Sequence, residues 1–248
     1  MARLVLENAA EFRKCIEAIS VLIDEAEFVL EKDSLSLKAT DPSQISMVDF
    51  RLPKKAFKEF ELSSPSKIGL DLDYLSQIVS RAKASDVLEI ELDSENSRLK
   101  LSFKGSSKRS FNIPLLDISR QELPTPKIEF EASLKIKAGE LQEGLKDASL
   151  IASHITIGVQ NDNFIMKANS SKGFWEHESS KKDGALVELQ VKKEGTAMFP
   201  LDYLQDMLKA ASSDTIVSIG LKANHPVNLA YNIGEASISY YLAPRIES

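Results

Sequence analysis

Apolar and polar residues alternate with a period of two along much of this chain. Leu35, Leu37 and Ala39 share one side of a stretch whose intervening residues are polar, and Phe164, Met166 and Ala168 do the same further on. Successive side chains of a strand point to opposite faces, so the pattern predicts half-buried strands. Leu99, Leu101 and Phe103, then Phe111 and Ile113, predict two more. Elsewhere the apolar positions shift to helical spacing. Phe12, Ile16 and Ile19 form one stripe and Leu141, Leu145 and Ala148 another, each predicting an amphipathic helix. Narrower stripes run through Leu72, Leu75, Val79 and Ala82 and through Leu201, Leu204, Leu208 and Ala211. Strands outnumber helices by roughly three to one, and several are joined by hairpin-length gaps, so the predicted fold class is α+β, with antiparallel sheets and helices on one face.

The helical stripes occur in pairs because the chain is a duplication. Leu72-Asp73-Tyr74-Leu75 recurs as Leu201-Asp202-Tyr203-Leu204, and 201 − 72 = 129. The same offset pairs Lys38-Ala39 with Lys167-Ala168, Phe12 with Leu141, and the run from Leu88 to Leu92 with that from Val217 to Leu221. With one residue added, Phe111-Asn112-Ile113-Pro114 falls on Tyr241-Leu242-Ala243-Pro244. A common offset across both halves predicts two similar tandem domains, 1–116 and 128–248, joined by a connector at 117–127. Leu115 to Lys127 matches neither copy, contains Pro124 and Pro126, and reads as extended. Its Leu115, Leu116, Ile118 and Leu123 are too many apolar residues for a solvated tether, so they pack onto their own domains or receive a partner.

Composition narrows the function. With 43% hydrophobic and 27% charged residues the chain is globular, and a net charge of −6 argues against a protein that coats nucleic acid over its whole surface. One cysteine, Cys15, excludes a disulfide framework and cysteine-rich zinc modules, and it fits a reducing compartment. No apolar run has the length of a membrane span and the first ten residues do not resemble a signal peptide, so a soluble intracellular protein with no membrane partner is expected.

Catalytic chemistry is sparse. His154, His177 and His225 lack partners at metal-ligand spacing, and no nucleophile elbow, Walker-type loop or dinucleotide fingerprint is present, so no metal, cofactor or catalytic residue is predicted. The acid pairs Asp71 and Asp73, Glu89 and Glu91, and Glu176 and Glu178 are noted, with Glu89 and Glu91 expected on the solvated face of a strand. Cys15, at the edge of a helical stripe, is expected to be a half-buried inert thiol. A duplicated strand-rich chain without a catalytic set points to a scaffold or binding module. The alternative, an enzyme on a duplicated α+β scaffold, needs a polar constellation that this sequence does not display.

Two surface features remain. Ile45 and Met47 fall on the otherwise polar face of a strand running to Leu52, which suggests a docking pocket or a surface covered by the connector. The helix faces opposite the apolar stripes carry Arg13, Lys14, Arg81, Lys83, Lys146 and Lys209, mixed with Glu11, Glu17, Glu143 and Asp206. Mixed faces attract phosphate weakly and do not read sequence.

Four groups of residues stand out in order and spacing: Leu37-Lys38-Ala39-Thr40-Asp41-Pro42-Ser43, Val48-Asp49-Phe50 with Leu52-Pro53, the two Leu-Asp-Tyr-Leu helix starts, and Tyr240-Tyr241-Leu242-Ala243-Pro244-Arg245-Ile246. Together they resemble the proliferating cell nuclear antigen family, the sliding clamps of archaeal and eukaryotic replication. The resemblance implies a DNA-clamp fold with sheets outside and helices on the inner face, and a head-to-tail trimeric ring around duplex DNA. It implies a processivity factor rather than an enzyme, tethering DNA polymerase, flap endonuclease, ligase and a clamp loader through short peptide motifs. Arg13, Lys14, Arg81, Lys83, Lys146 and Lys209 would face DNA, although Gln77, Ser80 and Glu143 make this pore less basic than is usual in the family. The partner-peptide pocket would comprise Gln44, Ile45, Met47, Leu123, Pro126, Pro226, Tyr241, Ala243 and Pro244. The subunit interface would set Lys108, Arg109, Ser110 and Phe111 against Trp175, Glu176, His177 and Glu178, with basic residues facing acidic ones. Within the family, a subunit of a heterotrimeric clamp is the alternative.

Overall fold

Two lengths of chain with the same alternation fold into the same series of elements. The computed structural model describes residues 2–93, 97–118 and 123–245. The first copy contains β1 (Ala2–Leu6), α1 (Ala9–Ser20), β2 (Glu25–Glu31), β3 (Ser34–Thr40), β4 (Ser46–Pro53), β5 (Glu59–Leu62), β6 (Ser66–Asp71), α2 (Leu72–Val79), β7 (Val87–Asp93), β8 (Arg98–Lys104) and β9 (Lys108–Pro114). The second contains β10 (Ala132–Lys137), α3 (Ala138–Ser149), β11 (His154–Gln160), β12 (Asn163–Ser170), β13 (Gly173–Ser179), β14 (Leu186–Val191), β15 (Gly195–Pro200), α4 (Leu201–Leu208), β16 (Ile216–Leu221), β17 (Val227–Ile233) and β18 (Ala236–Leu242). The offset read from sequence reappears in the helices, which start at Ala9 and Ala138 and at Leu72 and Leu201, 129 residues apart in both cases.

Strand order repeats as well. Strands of the first copy run β5-β1-β7-β8-β9 and β4-β3-β2-β6; those of the second run β14-β10-β16-β17-β18 and β13-β12-β11-β15, each number nine higher than its counterpart. Neighbouring strands pair antiparallel, as β7 does with β8 and β11 with β12. The chain divides into two compact units. Unit 1 comprises Met1–Pro42, Val48–Pro124 and Ile233–Ile238, and unit 2 comprises Ser43–Met47, Thr125–Asn232 and Ser239–Ser248.

In unit 1, Leu4, Phe12, Phe28, Ile68, Leu75 and Leu101 surround one apolar space, so both helices and both strand runs supply a single core. The small residues of α1 and α3 mark where helix meets sheet. Cys15 and Gly144 are equivalent by the repeat, since 144 − 15 = 129, and both are buried. A Cβ at Gly144 would stand 2.3 Å from the Met166 methyl and 3.4 Å from the Trp175 ring, so this glycine lets the sheet side chains close on the helix. In unit 2 the Tyr231 hydroxyl donates to the Met207 carbonyl at 2.9 Å and lies 3.3 Å from the Tyr240 hydroxyl, which satisfies two buried phenols.

Packing departs from the sequence reading in several places. Glu89 is buried at 6% exposure, not solvated. Arg3 of β1 reaches it at 2.7 Å and Lys104 of β8 at 2.6 Å, so the flanking strands bring two cations over it. The Lys104 hydrogen bond, more than that from Arg3, holds its carboxyl below the usual range against the opposing effect of burial. Cys15 is fully buried rather than half-buried, and its thiol is pushed up to about 12 by burial, with Glu11 adding to the shift. Ala82 and Ala211 lie beyond the ends of α2 and α4 yet stay buried, because tight turns fold them back; their amides donate to Val79 and Leu208.

In unit 1 the residues leading into the connector form a strand-like extension. The Leu116 amide donates to the Gly69 carbonyl at 2.9 Å and the Leu115 amide to Ser97 at 3.0 Å. A Cβ at Gly69 would come within 2.2 Å of the Leu116 carbonyl, so the close approach needs glycine. Leu115, Leu116 and Ile118 are half-buried; connector residues 119–122, and Ile246 of the terminal motif, lie outside the described residues.

Candidate nucleic-acid and partner interfaces

Apolar stripes decide which way each helix turns. On α1 the buried residues are Ala9, Phe12, Cys15, Ile16, Ala18 and Ile19, which leaves Lys14 exposed and Arg13 at the margin. The helix starts at Asn8, whose side-chain Oδ1 accepts from the Ala10 and Glu11 amides while its side-chain Nδ2 donates to the Glu11 carboxylate at 3.1 Å. On α2, capped by Asp71, the buried face is Leu72, Leu75, Ile78 and Val79, and the turn that follows presents Arg81 and Lys83 to solvent. In unit 2, α3 exposes Lys146, and Lys209 follows α4. The Gln142 side chain donates to the Leu208 and Ala211 carbonyls at 2.9 Å each, tying the two helices of that unit together.

The six cations are not equal. Arg13 pairs with Glu17 at 3.4 Å and Lys146 with Glu143 at 2.6 Å, so both are partly neutralised on their own helices. Lys14, Arg81, Lys83 and Lys209 are exposed and form no ion pair among the described residues. These four are the charges most available to a phosphate.

The pocket residues divide differently. In unit 2 the Ala243 amide donates to the Ile45 carbonyl at 2.8 Å, which lays the segment Ser43–Met47 beside the residues that follow β18. On β18 the core side carries Ala236, Ile238, Tyr240 and Leu242; Tyr241 has the opposite parity, shared with Ala243 beyond the strand end. Ile45, Pro126, Pro226, Tyr241, Ala243 and Pro244 are all half-buried, while Gln44 is exposed in the left-handed region at φ 58°. Met47 departs from expectation. At 7% exposure it is covered by the fold, so it offers a partner little surface. Leu123 is half-buried and belongs to unit 1.

The expected subunit-interface strands are both terminal in their runs, β9 in the first copy and β13 in the second. Strand alternation sorts their side chains. Lys108 and Ser110 are exposed, whereas Arg109 lies on the side of Phe111 and Ile113 and turns inward. Its guanidinium pairs with buried Asp86, donates to the Arg81 carbonyl at 2.9 Å and stacks over the Phe103 ring at 5.4 Å. The expectation that Arg109 offers a free charge is therefore corrected: its parity and a buried carboxylate hold it within its own unit. On β13, Glu176 and Glu178 are exposed, Glu176 pairing with Lys167 at 2.9 Å. Trp175 and His177 take the other face, stacked on each other, with the His177 ring 2.9 Å from Glu140 of α3.

Sequence reasoning missed Phe174 and Leu150, exposed at 59% and 72%. Phe174 shares the outer side of β13 with the two glutamates, and the missed signal was an aromatic at an outward parity on a terminal strand.

No group of metal-ligating side chains is found among the described residues, and no helix is long and apolar enough to cross a membrane. A molecule with paired sheet-and-helix copies, open strand edges and an outward apolar cluster is a duplicated α+β binding protein, one that works through its surfaces. The family model described as the proliferating cell nuclear antigen N-terminal domain matches residues 1–122, and that of the C-terminal domain matches 124–246. The chain belongs to the proliferating cell nuclear antigen family, the DNA polymerase sliding clamps. The DNA polymerase sliding clamp of Methanococcus maripaludis (strain C7) is 35% identical over 245 residues, covering 97% of this chain and 98% of its own. That of Thermofilum pendens is 33% identical over 249 residues, with both chains covered completely. Among solved structures, PCNA from Thermococcus kodakaraensis superposes with a TM-score of 0.95 at 25% identity, covering 99% of this chain and 100% of its own. A. fulgidus PCNA, solved with the C-terminal region of FEN-1, gives 0.91 at 28% identity over 100% of both chains.

Proposed function

We propose that this chain assembles head to tail into a trimeric ring around duplex DNA and tethers replication and repair proteins through a pocket in unit 2. The observation that carries the reading is the pair of terminal strands: one copy ends a run with β9 and the other with β13. Two different edges on one chain give a heterologous contact, which closes into a ring when the rotation per subunit is right. The repeat supplies a register. The Ala243 amide bonds to the Ile45 carbonyl in unit 2, and their counterparts are Ile113 (243 − 113 = 130) and Phe174 (174 − 45 = 129). Ile113 of one subunit then lies beside Phe174 of the next.

Lys14, Arg81, Lys83 and Lys209 touch phosphates in this reading, with Arg13 and Lys146 contributing less because acids already hold them. Weak, sequence-blind contacts permit sliding, and closure of the ring provides retention, so the net charge of −6 is no obstacle. Ile45, Tyr241, Ala243, Pro244, Pro126 and Pro226, with Gln44 beside them, receive the apolar anchors of a partner segment. The relative solved with the C-terminal region of FEN-1 supports that class of partner, and polymerase, ligase and clamp loader would use the same pocket. The test is topological. Clamp loaded onto nicked circular DNA is expected to stay bound through gel filtration and to be lost when the circle is cut. Equal retention on both forms would overturn the encircling mechanism.

A further inference from the structure

We propose that a basic trough beside the last described residues of unit 2 binds acidic residues of the partner segment that flank those seated in the pocket. The inference rests on the pocket reading above and adds a charge preference to it. The trough encloses about 650 Å³ and its walls include His154, Lys167, Ser170, Lys172 and Arg245, with Met198 also lining it. No carboxylate is among the described residues that line it, in a chain whose net charge is −6.

The walls are built, not incidental. The Arg245 amide donates to the Met198 carbonyl at 2.7 Å, and its guanidinium lies 3.3 Å from Nδ1 of His154, which Ser153 Oγ also approaches at 3.0 Å. The Ser170 hydroxyl accepts from the Lys172 amide at 3.0 Å and donates to the Ile151 carbonyl at 2.7 Å, fixing the opposite wall. Lys167 already spends its charge on Glu176 at 2.9 Å and on Gln160 at 3.0 Å. Arg245 and Lys172 are left as exposed cations with no carboxylate partner among the described residues.

Position supplies the occupant. Arg245 follows Ala243 and Pro244 directly, so trough and pocket are separated by only about 7 Å of extended chain. A segment anchored on Ala243 and leaving past Pro244 has its next residues delivered to the trough at high effective concentration. Cations spread along two walls suit carboxylates on a chain that is already held. A lone phosphate would want its donors converging on one point.

The probe is the FEN-1 C-terminal peptide, made with a run of aspartates or of lysines at each end in turn, and titrated against the assembled clamp by fluorescence anisotropy at moderate salt. At one end the aspartate peptide is expected to bind about tenfold more tightly than the lysine peptide, from two charge contacts at a rim. The Arg245→Ala, Lys172→Ala double variant is expected to abolish that ratio and leave the unextended peptide unchanged, while Arg245→Lys retains most of it. A ratio near one at both ends, or a ratio that survives the double variant, overturns the inference while the pocket stands. If the unextended peptide does not bind at all, the pocket reading falls and takes this one with it. If the double variant weakens retention on circular DNA instead and spares the peptide ratio, the trough serves phosphate and the inference is wrong.

Discussion

Replacing Phe174 by aspartate tests the ring contact at its most exposed apolar side chain. Phe174 is 59% exposed on the outer side of terminal strand β13, beside Glu176 and Glu178. An aromatic side chain buries about 150–250 Å² in full, so docking against β9 of a neighbour removes roughly 100 Å² more from water. At about 25 cal/mol per Å² that is about 2.5 kcal/mol, or about sixtyfold in the dissociation constant of each contact. Aspartate also adds a third acid to the row, which raises the cost because, of the two cations on β9, Asp86 already holds Arg109 and Lys108 is left to oppose the row. The assay is light scattering coupled to size exclusion over a dilution series, because mass action governs assembly. The unmodified chain is expected at 82.5 kDa, three times 27.5, and Phe174→Asp is expected to shift toward 27.5 kDa at concentrations where the parent holds. Val187→Asp is the control: Val187 is 56% exposed on β14, itself terminal in its run. Loss of the trimer in Val187→Asp, with Phe174→Asp intact, would refute the choice of edges.

The remaining expectations are narrower. Lys14→Ala with Lys209→Ala should weaken retention on DNA for every sequence alike and flatten its salt dependence by up to about one unit of slope per cation, whereas Lys146→Ala should do less because Glu143 already holds it. Glu89→Gln should lower stability by about 2 kcal/mol at neutral pH, against well under about 1 kcal/mol for the more exposed Glu59→Gln, measured by urea unfolding at fixed protein concentration. Because Glu89 has a depressed folded-state value, its contribution is complete above the ordinary carboxylate range near about 4.3 and fades as pH falls below it. The gap between Glu89→Gln and the parent should therefore narrow on acidification, and a constant gap would exclude the ionic account. Cys15 should resist a thiol reagent at mildly alkaline pH until the chain unfolds, since burial keeps the thiol protonated; labelling as fast as in urea would contradict its burial.

Local periodicity made the elements and their repetition legible in the sequence. Leu35, Leu37 and Ala39 and their counterparts encode strand parity within a few residues, and the stripes of α1 through α4 encode which helix face is buried. The common offset then shows that one arrangement is used twice. Exposure of Lys14 was readable for the same reason, since the side opposite an apolar stripe faces away from the core, whereas Arg81, Lys83 and Lys209 lie beyond the ends of α2 and α4 and owe their exposure to the turns that follow.

Only the tertiary structure decided what depends on neighbours distant in sequence. Glu89 has the parity of a solvated residue, but Arg3 and Lys104 come from two other strands to cover and pair it. Arg109 reads as a free edge cation until Asp86 and the Phe103 ring arrive from outside its strand to hold it. Met47 reads as outward and is buried, while Phe174 became conspicuous only once β13 proved to end its run. The basic trough joins Arg245 to His154 and Lys172 across more than seventy residues of sequence, a meeting that no local pattern contains. Side-chain parity is a property of a few adjacent residues; strand order, and with it which edges stay open and which charges find partners, is a property of the folded chain.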